Sequence, residues 1–353
     1  MPDWTKSMEQ TFEYYIVDPG TWRDKERIKT VTSCSIDRDW QAETLGSATL
    51  EVTEAFSECY IRIYLIVVQN GLTEKLPLAT VLVQTPSSSF DGKISSIKLD
   101  AYTPLLELKE NPPPIGYSLL KGENIMENAY EIVRDNVRAP VVKAVSSENL
   151  YNNFVANTDD TWLSFCSDLM ANAKFLLDLD ELGRVLFAPQ QEIASLQPVW
   201  TYNDDNSSIL YPSISFDYDL YGIPNAVEVV YSDGDSHLYA KIVNDDPNSP
   251  ISTVNRGREI LHRITDPDLG GTSTKDQIEE YAEQTLEELS SLAYTVTYTH
   301  GYCPARIGDC VRLNYKRAWI ENTKARVISQ SIKCEPGCPV TEKAVFTVKL
   351  WRR

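Results

Sequence analysis

Apolar and polar residues alternate along the first hundred positions of the chain. Ala48, Leu50 and Val52 alternate with polar neighbours, the period of a half-buried strand. Ile61, Ile63, Leu65 and Val67 alternate with Arg62, Tyr64, Ile66 and Val68, which predicts a strand covered on both faces. Strands over 78–83 and 94–99 follow, separated by a Pro86-Ser-Ser-Ser loop and an Asp91-Gly92 turn. Several short strands with turns between them predict a small barrel or sandwich.

The period then changes. After the extended linker Asn111-Pro-Pro-Pro114, Asn124 and Glu127 form a capping box. Met126, Ala129, Tyr130, Val133 and Val137 share one helical face, and Pro140 prevents much continuation. A second helix, capped at Asp160 or a neighbour, carries Trp162, Phe165, Cys166, Leu169, Met170 and Ala173 at helical spacing. Residues 175–179 read as a strand, Asp180-Glu-Leu-Gly183 as a turn and 184–188 as the return strand. This unit is a helix packed on a hairpin.

From about Trp200 the pattern returns to strands. Pro224-Asn225 introduces a strand over 226–231, and 238–243 follows. A third helix starts at Thr274, boxed by Gln277, with an apolar stripe of Ile278, Tyr281, Ala282, Leu286 and Leu289. Its other face is glutamate-rich, which fits either a solvated face or one turned to a basic partner. The last strands are expected over 294–299, 310–315, 325–333 and 344–351. A short echo links residues 93–99 to 326–333 and points to duplication. The reading is α+β, mainly β: a first small β-barrel domain at 1–104, an α+β module at 105–199, and a second barrel domain at 200–353, with boundaries open to discontinuity.

Composition narrows the function. Hydrophobic content of 42% permits real cores, while no apolar run approaches the length of a membrane span. The N-terminal Met1-Pro-Asp-Trp-Thr-Lys lacks a signal-peptide pattern, so cytoplasmic synthesis without export is expected. A net charge of −18 argues against binding nucleic acid through phosphate neutralisation. The same charge suits solubility, or a wall past which nucleic acid slides.

Seven cysteines cannot all pair within the chain. Cys303, Cys310, Cys334 and Cys338 cluster near the C-terminus, and zinc, a disulfide and free thiols all stay open there. Cys303–Cys310 is too wide for a zinc pair. For a disulfide, the Glu335-Pro-Gly turn favours closure between Cys334 and Cys338.

His237, His262 and His300 belong to no catalytic motif, and surface or turn positions account for them. Asp178, Asp180 and Gly183 start like a calcium loop, but the twelfth position is Pro189, so a hairpin turn is the better reading. No nucleotide-binding loop occurs. No catalytic residue, metal or cofactor is expected. Trp162, Trp200, Trp319 and Trp351 read as core or interface anchors.

Three stretches, taken in order, resemble the central hub proteins of phage tail baseplates, of the Mu-type and Bacillus-prophage-type. They are 95–108 with its linker and helix, the 162–187 helix–hairpin unit, and the Thr274 helix running on to Ile307-Gly-Asp-Cys-Val-Arg-Leu. In that family the Gly-Asp is a tight turn feeding a barrel strand. Gly308 would supply the permissive backbone and Asp309 the turn hydrogen bond.

The resemblance implies a non-enzymatic virion protein, assembled in the host cytoplasm. It implies a homotrimer presenting six tube-like barrels, which joins the hexameric tail tube to a trimeric spike among other baseplate proteins. DNA would pass through the lumen without specific binding. A hub of a related contractile injection system and a carbohydrate-binding, adhesin-like tail-tip protein are the alternatives. The central helices and hairpin speak against the second.

Overall fold

The structure, a computed structural model, describes residues 2–54, 57–90, 95–232, 237–265, 267 and 274–351. The expected Asp91-Gly92 turn and the loop 233–236 lie outside them. Two compact units emerge: Met1–Ile214 with Thr297–Ala344, and Ser215–Val296 with Val345–Arg353. This division differs from stretches 1–104, 105–199 and 200–353. The first two stretches share a unit with most of the C-terminal strands.

The first unit opens with β1 (Glu9–Asp18), β2 (Arg23–Ile28), β3 (Val31–Asp39), β4 (Gly46–Val52), β5 (Tyr60–Gln69), β6 (Leu72–Phe90) and β7 (Ser95–Tyr102). Next come α1 (Leu106–Glu110), β8 (Ser118–Leu119), α2 (Ile125–Asn136), β9 (Phe154–Val155), α3 (Trp162–Ala171), β10 (Phe175–Leu179), β11 (Val185–Pro189) and β12 (Trp200–Asn203). β13 (Leu210–Tyr218) leads into the second unit, which holds β14 (Ala226–Ser232), β15 (His237–Val243), α4 (Thr253–Arg256), β16 (Leu261–Thr265) and α5 (Lys275–Leu289). β17 (Ser291–Gly301), β18 (Cys310–Asn314), β19 (Thr323–Lys333) and β20 (Pro339–Lys349) complete the chain.

The fold is α+β and mainly β, as the patterning predicts. The strands expected in two separate barrels join one hydrogen-bonded series. Its order is β13-β17-β20-β19-β3-β4-β7-β6-β5-β1-β2, with β12 and β18 beside it. The join is the antiparallel pairing of β3 with β19, from Ser329 opposite Asp39 to Lys333 opposite Ser35.

β5 shows why the sequence demands cover on both of its faces. Ile61, Ile63 and Leu65 are 0% exposed on one face, and Tyr60, Arg62 and Tyr64 are buried on the other. Trp22 and the tip of the β10–β11 hairpin reach that second face: the Trp22 indole N–H donates to the Leu182 carbonyl at 2.7 Å. Arg62 is affordable there because its donors are satisfied. They reach Thr80 (2.9 Å), Asp24 (2.9 Å) and the carbonyls of Trp22 (3.3 Å) and Leu182 (3.2 Å).

One expectation is corrected in β6. Pro86 and the serines after it are strand, paired with β7 from Pro86 opposite Leu99 to Phe90 opposite Ser95. The register shifts between Val83 and Thr85, and a bulge is where an antiparallel ladder tolerates proline. Residues 86–90 are exposed, so this ribbon lacks the apolar alternation by which strands are read.

The helices follow their periodicity. Trp162, Phe165, Cys166, Leu169, Met170 and Ala173 are all buried in a core shared with α2 and the β10–β11 hairpin. The Asn124 side chain caps α2 by accepting from the Glu127 N–H at 3.0 Å, while the Glu127 carboxylate pairs with Lys143 at 3.4 Å. The cap of α3 is Thr161, boxed reciprocally with Ser164. Thr161→Ala should lower stability by about 1 kcal/mol, seen as a reduced urea midpoint; an unchanged midpoint would mean that tertiary packing alone fixes the start of α3.

In the second unit β14 lies between antiparallel β15 and parallel β16. α5, boxed by Thr274 and Gln277, lays Ile278, Ala282 and Leu286 into a core with Val227, Val229 and Trp351. Asn225 is fully buried and pins the loop before β14. Its amide donates to the Ile251 (3.1 Å) and Arg258 (3.0 Å) carbonyls and accepts from the Ile260 N–H at 2.7 Å. Among the described residues no helix is long and apolar enough to cross a membrane.

Candidate functional site

Polar side chains converge most densely inside the C-terminal strands of the first unit. Period-two alternation points Val296, Tyr298 and His300 of β17 inward, and Val340, Glu342 and Ala344 of β20 likewise. Tyr202 from β12, Gln330 from β19 and Cys303 complete the cluster, and each of these polar groups is at most 2% exposed.

Glu342 is the hub of its hydrogen bonds. It accepts from the Tyr298 hydroxyl, from Tyr202 at 3.3 Å and from the Gln330 amide at 2.7 Å, and it faces His300 Nε2 at 3.4 Å. His300 Nδ1 donates to the Gly301 carbonyl at 2.7 Å. The Tyr202 hydroxyl also lies 3.0 Å from His300 Nε2 and 3.3 Å from Cys303 Sγ. Burial opposes charge on the His300 ring, but contacts with Cys303 and Glu342 outweigh it and hold the pKa up to about 10.

Cysteine, histidine and glutamate are the types of a nucleophilic triad. Here they have no access to a substrate, and Tyr202 is wedged among them. The arrangement acts as a buried pin holding β12, β17, β19 and β20. It corrects the expectation that surface or turn positions suffice for the histidines: His300 is 0% exposed. Sequence reasoning missed the whole cluster. The usable signal was that His300 stands two residues after Tyr298 and four after Val296, on the inner face of one strand.

The acidic residues near the hairpin tip are committed to arginines. Arg306 pairs with Glu181 at 2.8 Å and reaches Asp178 at 3.7 Å, and Arg38 lies 3.6 Å from Glu181. Asp180 accepts from the Arg184 N–H at 2.8 Å and pairs with its guanidinium at 2.5 Å. Burial pushes the Asp178 pKa up, against the pull of Arg306. The cleft beneath encloses about 50 Å³, which suits a few waters and no organic ligand. Asp178, Asp180 and Gly183 therefore make a docked hairpin turn.

Gly308 and Asp309 close a tight turn ahead of β18. Gly308 has φ +85°, the Asp309 N–H donates to the Arg306 carbonyl at 3.2 Å, and the Asp309 carboxylate accepts from the Arg306 N–H at 2.9 Å. Ile307 and Gly308 thus occupy the centre of a type II turn. Burial raises the Asp309 pKa.

All seven cysteines are free thiols. The Glu335-Pro-Gly-Cys338 turn is present, with the Cys338 N–H donating to the Glu335 carbonyl at 2.8 Å. The residue facing Cys334, however, is Cys34, whose carbonyl accepts from the Cys334 N–H at 3.0 Å. Among the tryptophans, Trp162 and Trp351 are core residues, Trp200 is half-buried and Trp319 is 93% exposed on the loop between β18 and β19.

No protein-family model matches the chain, and no curated protein does. Solved structures do. A tail protein from Neisseria meningitidis MC58 is similar with a TM-score of 0.62 at 11% identity, covering 96% of both chains. The 43 kDa tail protein of prophage MuSo2 from Shewanella oneidensis gives 0.57 at 13% identity, covering 96% of this chain and 98% of that one. Prophage tail protein gp18 from Listeria monocytogenes EGD-e gives 0.50 at 12% identity, with 94% of each chain covered. The chain therefore has the fold of phage tail proteins along nearly its whole length. The expectation of a tail-hub fold is met at the level of the fold.

Proposed function

We propose that this chain is a structural hub of a phage tail baseplate and a component of the virion. Three copies form a ring, each contributing two β regions, so that the ring is sixfold in character towards the tail tube and threefold towards the spike. The observation carrying this reading is the likeness to tail proteins over 96% of the chain, with no large part left over for another activity. The continuous sheet supports it, because each subunit brings both β regions as paired neighbours through β3 and β19.

The charge fits the same role. At −18, the chain repels phosphates, and a bore lined by acidic side chains lets a duplex slide without binding. Basic groups near the C-terminus are engaged within the chain. Lys324 donates to the Ala194 (3.1 Å) and Leu196 (2.8 Å) carbonyls, and Arg317 to Asp204 at 2.9 Å. Electron microscopy of the purified protein, alone and mixed with its tail-tube protein, should show threefold rings with a central hole. Particles that stay monomeric in both samples would overturn the proposal.

A further inference from the structure

The β3–β19 pairing ends on two cysteines. Its register continues from Lys333 opposite Ser35 to Cys334 opposite Cys34, and the Cys334 N–H donates to the Cys34 carbonyl at 3.0 Å. Directly opposed residues share a sheet face. Ile332 and Ile36, one pair earlier on that face, are both buried. Directly opposed antiparallel residues have Cα atoms about 4.5–5.5 Å apart, inside the roughly 4.4–6.8 Å a disulfide needs. The two thiols and the Tyr14 hydroxyl are close enough to interact electrostatically. Cys34 is buried and Cys334 half-buried, so an oxidant reaches the pair from the Cys334 side.

We propose that Cys34 and Cys334 are a cross-strand redox site, which a low-molecular-weight disulfide oxidises to a bond locking β3 to β19. The Cys334 thiolate attacks the small disulfide, forming a mixed disulfide and expelling one thiolate. The Cys34 thiolate then attacks the Cys334 sulfur and expels the second. Two electrons pass from the protein to the small disulfide, and the two thiol protons end on the two small thiols released. The bond closes at the seam between the N-terminal and C-terminal strands, across about 300 residues of chain. The pairing replaces Cys334–Cys338, because the backbone of Cys334 is already fixed to Cys34. The neighbouring Cys34 thiol and burial hold the Cys334 thiol above its ordinary range, so oxidation should quicken as pH rises.

The test uses the full chain, reduced and then incubated with oxidised glutathione at about pH 7.5 and 8.5, alkylated and mapped by mass spectrometry without reduction. The expected product links the Cys34 and Cys334 peptides, forms several-fold faster at the higher pH, and persists in Cys338→Ser. Its unfolding midpoint should rise by about 5–15 °C. A Cys334–Cys338 link would overturn the proposal. So would glutathione retained on Cys334 with Cys34 alkylated, and so would both thiols alkylated after exposure. Cys34→Ser, shown folded by circular dichroism, should retain the mixed disulfide at Cys334; a cross-link to another cysteine there would count against the site.

Discussion

Glu342→Ala should lower the stability of the protein by about 3–5 kcal/mol, more than a typical core truncation of similar volume. The removed carboxyl group serves Tyr202, Tyr298, Gln330 and His300 at once, and none of these can turn to solvent. Each stranded donor keeps its full desolvation cost. Urea unfolding followed by circular dichroism measures the loss, and a change below about 1 kcal/mol would mean that the cluster relaxes onto other partners. The pH dependence gives a second readout. His300 is held protonated up to about 10 in the folded chain, above its ordinary 6.5. Its contribution is therefore complete below pH 6.5 and is lost as pH rises through about 10. Stability should fall across that window in the parent protein, by up to about 1.4 kcal/mol per pH unit. In His300→Gln the fall should be much shallower below about pH 7.5, where ordinary thiols and phenols are still protonated.

The sequence made some of this architecture readable and hid the rest for a definite reason. α3 and α5 are set by neighbours within four residues and the β10–β11 hairpin by partners no more than fourteen apart, from Leu179 opposite Val185 to Phe175 opposite Pro189, so their signals stand in the chain itself. The Gly308–Asp309 turn is equally local. The pairing of β3 with β19 is not, because it joins residues about 300 positions apart and leaves no periodic mark. That pairing links the two expected β regions in one hydrogen-bonded series and gives Cys334 a partner outside its own turn. The buried cluster draws on strands separated by up to 140 residues, from Tyr202 to Glu342. Alternation along β17 and β20 could have placed His300 and Glu342 on inner faces; that they meet is a property of the packing alone. The exposed ribbon of β6 failed in the opposite sense: its ladder is real, but no buried face writes it into the sequence.

Gly308→Val should cost about 2–5 kcal/mol, from two separable causes. The first is backbone strain, because φ +85° is a conformation that a β-branched residue rarely adopts. The second is the Trp40 indole, which lies over the glycine: a Cβ there would sit 2.4 Å from Trp40 Cζ3 and 2.9 Å from Cη2. The Trp40 backbone is itself tied into the seam, its main-chain N–H donating to the Ile328 carbonyl at 2.8 Å. The turn also holds Arg306, whose guanidinium grips Glu181 and the Leu179 carbonyl of the docked hairpin. Displacing Trp40 or opening the turn thus disturbs β3, β19 and the hairpin together. A double-mutant cycle separates the causes. Gly308→Ala should cost less in a Trp40→Ala background than in the parent, since the clash is gone and only the strain remains. Equal costs in both backgrounds would assign the whole effect to the backbone and show that the indole yields freely. A stable Gly308→Val protein, within about 0.5 kcal/mol of the parent, would remove the turn from the features that hold this fold together.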